Sequence, residues 1–301
     1  MKNAFGDEIP EIKDILQEPE IAECVKDTLA RVVLKHLEIA DARIDRVAEK
    51  IFSFATSYQN LSEYESNVRK LLSEEGVVMA KIPFKLTYRA EIIFNQIKDF
   101  VEGSRVADVG CGDGRIGELV SRKLGKSVEL SDTYEHDHVK STDLAFKLIP
   151  ESSKLPYPDD SFDTALLLVV LHHSNAPFTT LRETIRITRP NGVIVVIESV
   201  FAPKPTDRSD PAIKRAEPFL KLSPEQHRKA NMFLDHFYNR CIHYSDEPEK
   251  KVSVPFNFKT PEGWKELFEK EGLVQERVIH LGIDRPSVPE YHTLHVLRVK
   301  K

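Results

Sequence analysis

The chain has 301 residues, 41% of them hydrophobic and 30% charged, which is enough apolar material for a sizeable core. Its formal net charge of -5 works against a nucleic-acid surface, because chains that grip polyanions carry a basic excess. Cys24, Cys111 and Cys241 are odd in number and far apart, which argues against a disulfide framework or a cysteine zinc site. No apolar run reaches membrane-spanning length, and Asp7 and Glu8 stand where a secretory signal would be apolar, so a cytoplasmic protein is expected.

Residues 10 to 100 read as helical. Ile44, Val47, Ala48, Ile51, Phe52 and Ala55 recur at helical spacing and lie on one face, and a second helical stretch runs from Tyr88 to Val101. The pattern then changes. Arg105 to Val109 is a short apolar strand that ends in glycines, Arg115 to Leu124 is an amphipathic helix, and Ser127 to Leu130 is a second strand. A third strand near Leu144 to Leu148 is weakly marked. Thr164 to Leu171 is a nearly continuous apolar run, as a strand buried on both faces requires. Leu181 to Arg189 is helical, Pro190-Asn191-Gly192 is a turn, and Val193 to Ile197 is another buried strand. This alternation predicts an α/β fold with a Rossmann-like, doubly wound, mostly parallel sheet. The rhythm breaks over residues 201 to 250, which are Pro-rich and then helical through His227 to Ile242. A helix at Trp264 to Lys270 follows, with strands near Val274 to Leu281 and His292 to Val299. The expected organisation is an N-terminal helical cap over 1–100 and a Rossmann-like domain over 101–301, carrying a helical lid insertion at about 201–250.

The chemical signal is the run Val106-Ala107-Asp108-Val109-Gly110-Cys111-Gly112-Asp113-Gly114, a glycine loop between strand and helix that lets the backbone approach a ligand closely. Gly112, Gly114 and Gly117 also satisfy the dinucleotide pattern G-x-G-x-x-G, so a nicotinamide-dependent oxidoreductase is a rival reading. A pyrophosphate needs a helix N-terminus without nearby anions, whereas Asp108 and Asp113 suit a cofactor bearing ammonium and sulfonium groups.

The run from Asp108 to Gly114 resembles the first motif of the class I S-adenosylmethionine-dependent methyltransferases, of the type 11 kind. Three further stretches fit that family in order: Asp132 after the second strand, Leu155 to Asp163 ("LPYPDDSFD"), and Leu171-His172-His173 with Leu181-Arg182-Glu183 and Arg189-Pro190-Asn191-Gly192. Together they cover roughly residues 100 to 200. The resemblance implies S-adenosyl-L-methionine as cofactor, with Asp108, Gly110, Cys111 and Gly112 along the loop and Asp132 and Thr133 at the ribose. Glu151, with Ser152 beside it, takes the place of the family's adenine-binding aspartate, although the usual "GDAE" is replaced by Pro150-Glu151-Ser152-Ser153. Val169 ends the central strand on the cofactor side, and Tyr134 follows the ribose acid, where a side chain packs on the adenine.

Candidates for the transfer itself are fewer, because displacement at a sulfonium needs alignment first and a base only when the acceptor must lose a proton. His172 and His173 sit at the carboxyl end of the buried strand, where open α/β sheets bind ligands. His172 is the candidate base, the alternative being that both rings hold backbone groups. Glu198 ends the next strand on the same rim, with a structural carboxylate as the alternative. Asp235, Tyr238 and Asn239 share a helical face at i, i+3, i+4 spacing, and Tyr238 is taken as a third catalytic candidate against simple lid packing. Asp284-Arg285 and Tyr291-His292 are further candidates. Glu135-His136-Asp137-His138 carries metal-ligand residue types but reads better as a solvated loop. The expected activity is methyl transfer to a small-molecule acceptor, with no metal, no membrane partner and no nucleic acid. A protein or RNA acceptor and a non-catalytic interaction module are the alternatives.

Overall fold

The structure, a computed structural model, describes residues 1–77, 82–150, 154–243, 251–284 and 289–300. The chain divides into two compact units: Met1–Ala80 with Ser199–Pro261 and His280–His292, and Lys81–Glu198 with Glu262–Ile279 and Thr293–Lys301. Among the described residues no helix is long and apolar enough to cross a membrane.

The second unit is built on a seven-stranded sheet of order β3-β2-β1-β4-β5-β7-β6, with β1 Arg105–Val109, β2 Ser127–Asp132, β3 Ala145–Leu148, β4 Phe162–Leu168, β5 Thr188–Val200, β6 Leu273–Gly282 and β7 Tyr291–Val299. The β1–β2, β1–β4, β2–β3 and β4–β5 pairs are parallel. Reversal of strand order between β1 and β4 makes this the doubly wound fold, with its switch point beside the carboxyl ends of those two strands. Every residue of β4 is buried, which is why it reads as an uninterrupted apolar run. Helix α5 (Ile82–Ile97) precedes β1, and α6 (Arg115–Leu124), α7 (Asp137–Lys140), α8 (Pro177–Ile187) and α12 (Pro261–Lys270) lie in the connections between strands.

The expected turn at Pro190-Asn191-Gly192 lies instead inside the 13-residue β5. Pairing with β4 shifts register between Phe162/Thr164 and Thr188/Val193, so a bulge absorbs the three residues without ending the strand. Asn191 takes φ 60°, and a Cβ at Gly192 would stand 2.7 Å from Thr188 and 2.9 Å from the Asp163 carbonyl. The "LPYPDDSFD" stretch is a strap fastened by α8. Arg186 donates to the carbonyls of Leu155 (3.0 Å) and Tyr157 (2.9 Å) and to Asp159 (2.7 Å), while Glu183 accepts the Leu155 N–H at 2.8 Å.

The first unit is helical: α1 Ile12–Ile15, α2 Pro19–Thr28, α3 Asp41–Ser57, α4 Leu61–Glu74, α9 Pro211–Arg215, α10 Glu217–Leu220 and α11 Pro224–Phe237, with π-helical turns at Leu29–Leu34 and Tyr238–Ile242. Of the predicted stripe on α3, Ile44, Val47, Ala48, Ile51 and Ala55 are buried and Phe52 is half-buried. Helix α11 starts at a capping box, with Ser223 and Gln226 satisfying each other's backbone N–H groups and Pro224 in the first turn. It is buried at His227, Arg228 and from Ala230 to Phe237, and Phe233 meets Phe52 of α3 at 6.2 Å between centroids.

Candidate functional site

Two turns at the switch point carry the candidate residues of the second unit. The first follows β1. The N–H groups of Gly110 and Cys111 both donate to the Ser131 carbonyl at 2.8 and 3.1 Å, which extends the β1–β2 pairing into the loop. Gly110 takes φ 73°, and a Cβ there would stand 2.7 Å from the Val170 side chain, so this glycine is required by packing. Gly112 takes φ 55° with nothing within 4 Å of a Cβ position, so its outer face is open.

Asp132, at the end of β2, is fixed by two backbone donors. Gly112 N–H reaches Oδ2 at 2.7 Å and Thr133 N–H reaches Oδ1 at 2.6 Å, with the Thr133 hydroxyl at 3.3 Å. Burial nevertheless holds the Asp132 carboxyl above its ordinary range, against the pull of those donors. Asp108 is 2% exposed, and its Oδ2 has no hydrogen-bond partner. Burial pushes its pKa up to about 7, helped by the charges of Asp132 and Asp113 and opposed by the Gly117 N–H. Cys111 is buried and its thiol is pushed far above the ordinary range, again by burial first, so it acts here as a small apolar filler.

One charge in the loop is placed differently from expectation. Asp113 accepts the Arg115 N–H at 3.1 Å and pairs with the Arg115 guanidinium at 3.0 Å, so its anion is compensated inside the loop. Asp108 and Asp132 are the other two carboxyls at this turn, and both are raised by burial. Tyr134 meets His136 edge-on at 5.0 Å, and His138 pairs with Glu118 at 2.9 Å, which gives the acidic-histidine stretch local structural partners. Glu151 and Ser152 lie outside the described residues.

The second turn follows β4. Val169 has φ 67°, a strained value for a β-branched residue. Its N–H still donates to the Ile197 carbonyl at 2.7 Å. The next three N–H groups turn onto one side chain: Val170 and Leu171 donate to Glu198 Oε1 at 3.2 and 2.7 Å, and His172 donates to Oε2 at 3.3 Å. The His172 ring brings Nδ1 to 2.5 Å from the same Oε2. Both side chains have no exposed surface. Burial pushes the Glu198 carboxyl up to about 8 against those three donors. The His173 ring lies 4.0 Å from that of His172.

The first unit holds the remaining candidates. Asn239 donates to Asp235 Oδ1 at 2.6 Å, and burial, with the charge of Glu290 behind it, keeps the Asp235 carboxyl well above its usual range. Tyr238 is half-buried and stacks on His243 at 5.8 Å. The face expected for Asp235, Tyr238 and Asn239 presumed α-helical geometry, but Tyr238 opens a π-helical turn, which changes the spacing from there on. His292 Nδ1 lies 3.4 Å from Asp284, and its Nε2 is 3.3 Å from the Ser199 hydroxyl, which also bonds Glu290. Arg285 is outside the described residues. Ser199 and Glu290 carried no signal in the sequence: they are a single serine and a single acid whose burial only the fold reveals.

Comparison with known proteins finds methyltransferases. The family profile described as "Methyltransferase domain" matches residues 107–196. The chain is 28% identical over 195 residues to 27-O-demethylrifamycin SV methyltransferase of Amycolatopsis mediterranei, covering 60% of this chain and 66% of that one. It is 30% identical over 111 residues to the methyltransferase GfsG of Streptomyces halstedii, covering 34% and 40%. It is 23% identical over 186 residues to demethylmenaquinone methyltransferase of Staphylococcus aureus, covering 59% and 70%. The chain thus spans 66% and 40% of the lengths of the first two relatives.

Proposed function

The chain belongs to the class I methyltransferases, and we propose that it transfers a methyl group from S-adenosyl-L-methionine to a small-molecule acceptor. The observation that carries the cofactor assignment is the acceptor-rich cradle after β1: the open face of Gly112, the backbone-fixed carboxylate of Asp132, and the buried Asp108 Oδ2 without a hydrogen-bond partner. A buried oxygen of that kind costs about 1–3 kcal/mol until a donor meets it, and an ammonium supplies one. A ribose supplies two hydroxyl donors for the remaining lone pairs of Asp132. In this assignment Gly110, Cys111 and Gly112 line the loop, Thr133 flanks the ribose acid, Glu151 and Ser152 serve the adenine, and Val169 bounds the far side.

When bound, S-adenosyl-L-methionine supplies an electrophilic methyl group on a sulfonium. The protein orients the acceptor, excludes water and takes the acceptor's proton. His172 is the base in this reading, with Glu198 behind it; Tyr238, in the first unit, is a separate catalytic candidate. Transfer of the acceptor's proton onto Nε2 is worth about 10²–10⁴-fold when the acceptor is a hydroxyl or amine. The helices of 1–100 and the 201–250 segment are assigned the choice of acceptor. A small acceptor is supported by the relatives whose names denote methylation of a rifamycin and of a demethylmenaquinone.

Titration calorimetry with S-adenosylmethionine, S-adenosylhomocysteine and NAD tests the assignment. Binding of the first two and not the third is expected. Tight NAD binding would overturn it in favour of an oxidoreductase, and binding of none would favour an interaction module.

A further inference from the structure

We infer that Glu198 is a positioning residue: it fastens the strained turn after β4 and holds His172 in the tautomer with hydrogen on Nδ1 and a lone pair on Nε2. The inference rests on the site assignment above for its purpose, but its geometry stands on the second unit alone.

The turn needs a fastener. Val169 occupies a backbone region that costs of order 1–3 kcal/mol for a non-glycine residue and persists only when its surroundings over-determine it. Pairing with β5 ends there, because the Val169 N–H is the last in this turn to reach a β5 carbonyl, that of Ile197. The three N–H groups that follow have no strand to bond, and all three converge on the Glu198 carboxylate. On the opposite side Val170 presses against Gly110, so a displaced turn would also displace the loop after β1.

The tautomer follows from where those donors fall. Oε1 takes two N–H groups, and Oε2 takes the His172 N–H while facing His172 Nδ1 at 2.5 Å. Burial favours the protonated carboxyl, while the three N–H donors favour the ionised one; with the carboxyl ionised, an oxygen so close to a ring nitrogen requires that nitrogen to carry the hydrogen, and this is the state the inference assigns. Nε2 is then the lone-pair atom, the form that a base needs. Glu198 and the His172 ring both have no exposed surface, so Glu198 acts through the turn and the imidazole that it holds.

The test needs no acceptor. Two-bond proton–nitrogen spectra of the ¹⁵N-labelled full chain report which ring nitrogen is protonated, and loss of one pattern in His172→Gln assigns the residue. In the wild type at neutral pH, Nδ1 is expected to be protonated and Nε2 bare. In Glu198→Gln the amide oxygen still serves the Val170 and Leu171 N–H groups while its NH₂ donates to Nδ1, so the tautomer is expected to invert. A role limited to packing would leave the tautomer unchanged. Protonated Nε2 in the wild type, or an unchanged tautomer in the variant, overturns the inference; the wild-type spectrum alone suffices if the variant does not fold. Calorimetry with S-adenosylhomocysteine on the same samples separates the two levels. A wild type that binds none would defeat the site assignment while leaving the tautomer result intact.

Discussion

The turns after β1 and β4 end neighbouring parallel strands, yet they are built by opposite means. The first reaches left-handed backbone with glycines and satisfies its N–H groups on the Ser131 carbonyl and the Asp132 carboxylate, each only one strand away. The second forces a valine into the same region and satisfies three N–H groups on a buried glutamate that arrives 26 positions beyond His172 in the chain. The first leaves an open, acceptor-rich face, which is what a ligand-binding turn needs. The second fixes the orientation of one imidazole. In the proposed assignment binding and chemistry fall at two strand ends, which adjoin where a Cβ on Gly110 would meet Val170.

The largest expected effect on the first turn comes from Asp132→Ala. The lost charge-assisted acceptors are worth about 1.5–3 kcal/mol, or roughly 10–100-fold in S-adenosylhomocysteine affinity by calorimetry. An unchanged affinity would move the ribose site elsewhere. Gly110→Ala tests the junction: its Cβ would meet Val170 at 2.7 Å in a backbone region alanine avoids, so denaturant unfolding should register a loss of about 1–3 kcal/mol.

Asp108→Asn probes burial through pH. The folded Asp108 holds its proton up to about pH 7, whereas the unfolded carboxyl releases it near pH ~4. Between those values the folded state binds more protons, so this group's contribution makes stability fall as pH rises. The asparagine variant should lose that slope in thermal unfolding followed from pH 4 to pH 8, and an unchanged slope would place the titration elsewhere. The smallest effect is expected from Asp113→Asn. Its carboxylate is paired with Arg115 within the loop, so cofactor affinity should change by less than about threefold. A loss as large as that of Asp132→Ala would return Asp113 to the ligand-facing set.

Much of the second unit could be read from the chain, because its signals are local. The β1 strand and the α6 helix fall where apolar period and glycine punctuation place them, and the continuous apolar run of β4 announces burial on both faces. The β3 strand is faint in sequence because it lies at the sheet edge, half exposed, with Lys147 in its middle. Pro190-Asn191-Gly192 has turn chemistry but sits in a strand, since a bulge between already paired strands accommodates it. Asp113 reads as a loop anion until Arg115, two residues on, is seen to compensate it. The Glu198 fastening has no local signature at all, because only parallel pairing of β4 with β5 brings residues 170–172 to it. The π-helical turn at Tyr238 is likewise invisible to a pattern that presumes 3.6 residues per turn.

The most direct test of the central claim is a crystal structure of the full chain with S-adenosylhomocysteine. The account predicts ribose hydroxyls on the Asp132 carboxylate, the ligand's backbone against Gly112, and a donor within hydrogen-bond reach of Asp108. A ligand bound away from the carboxyl ends of β1 and β2, or one seated there with Asp132 turned aside, would contradict it.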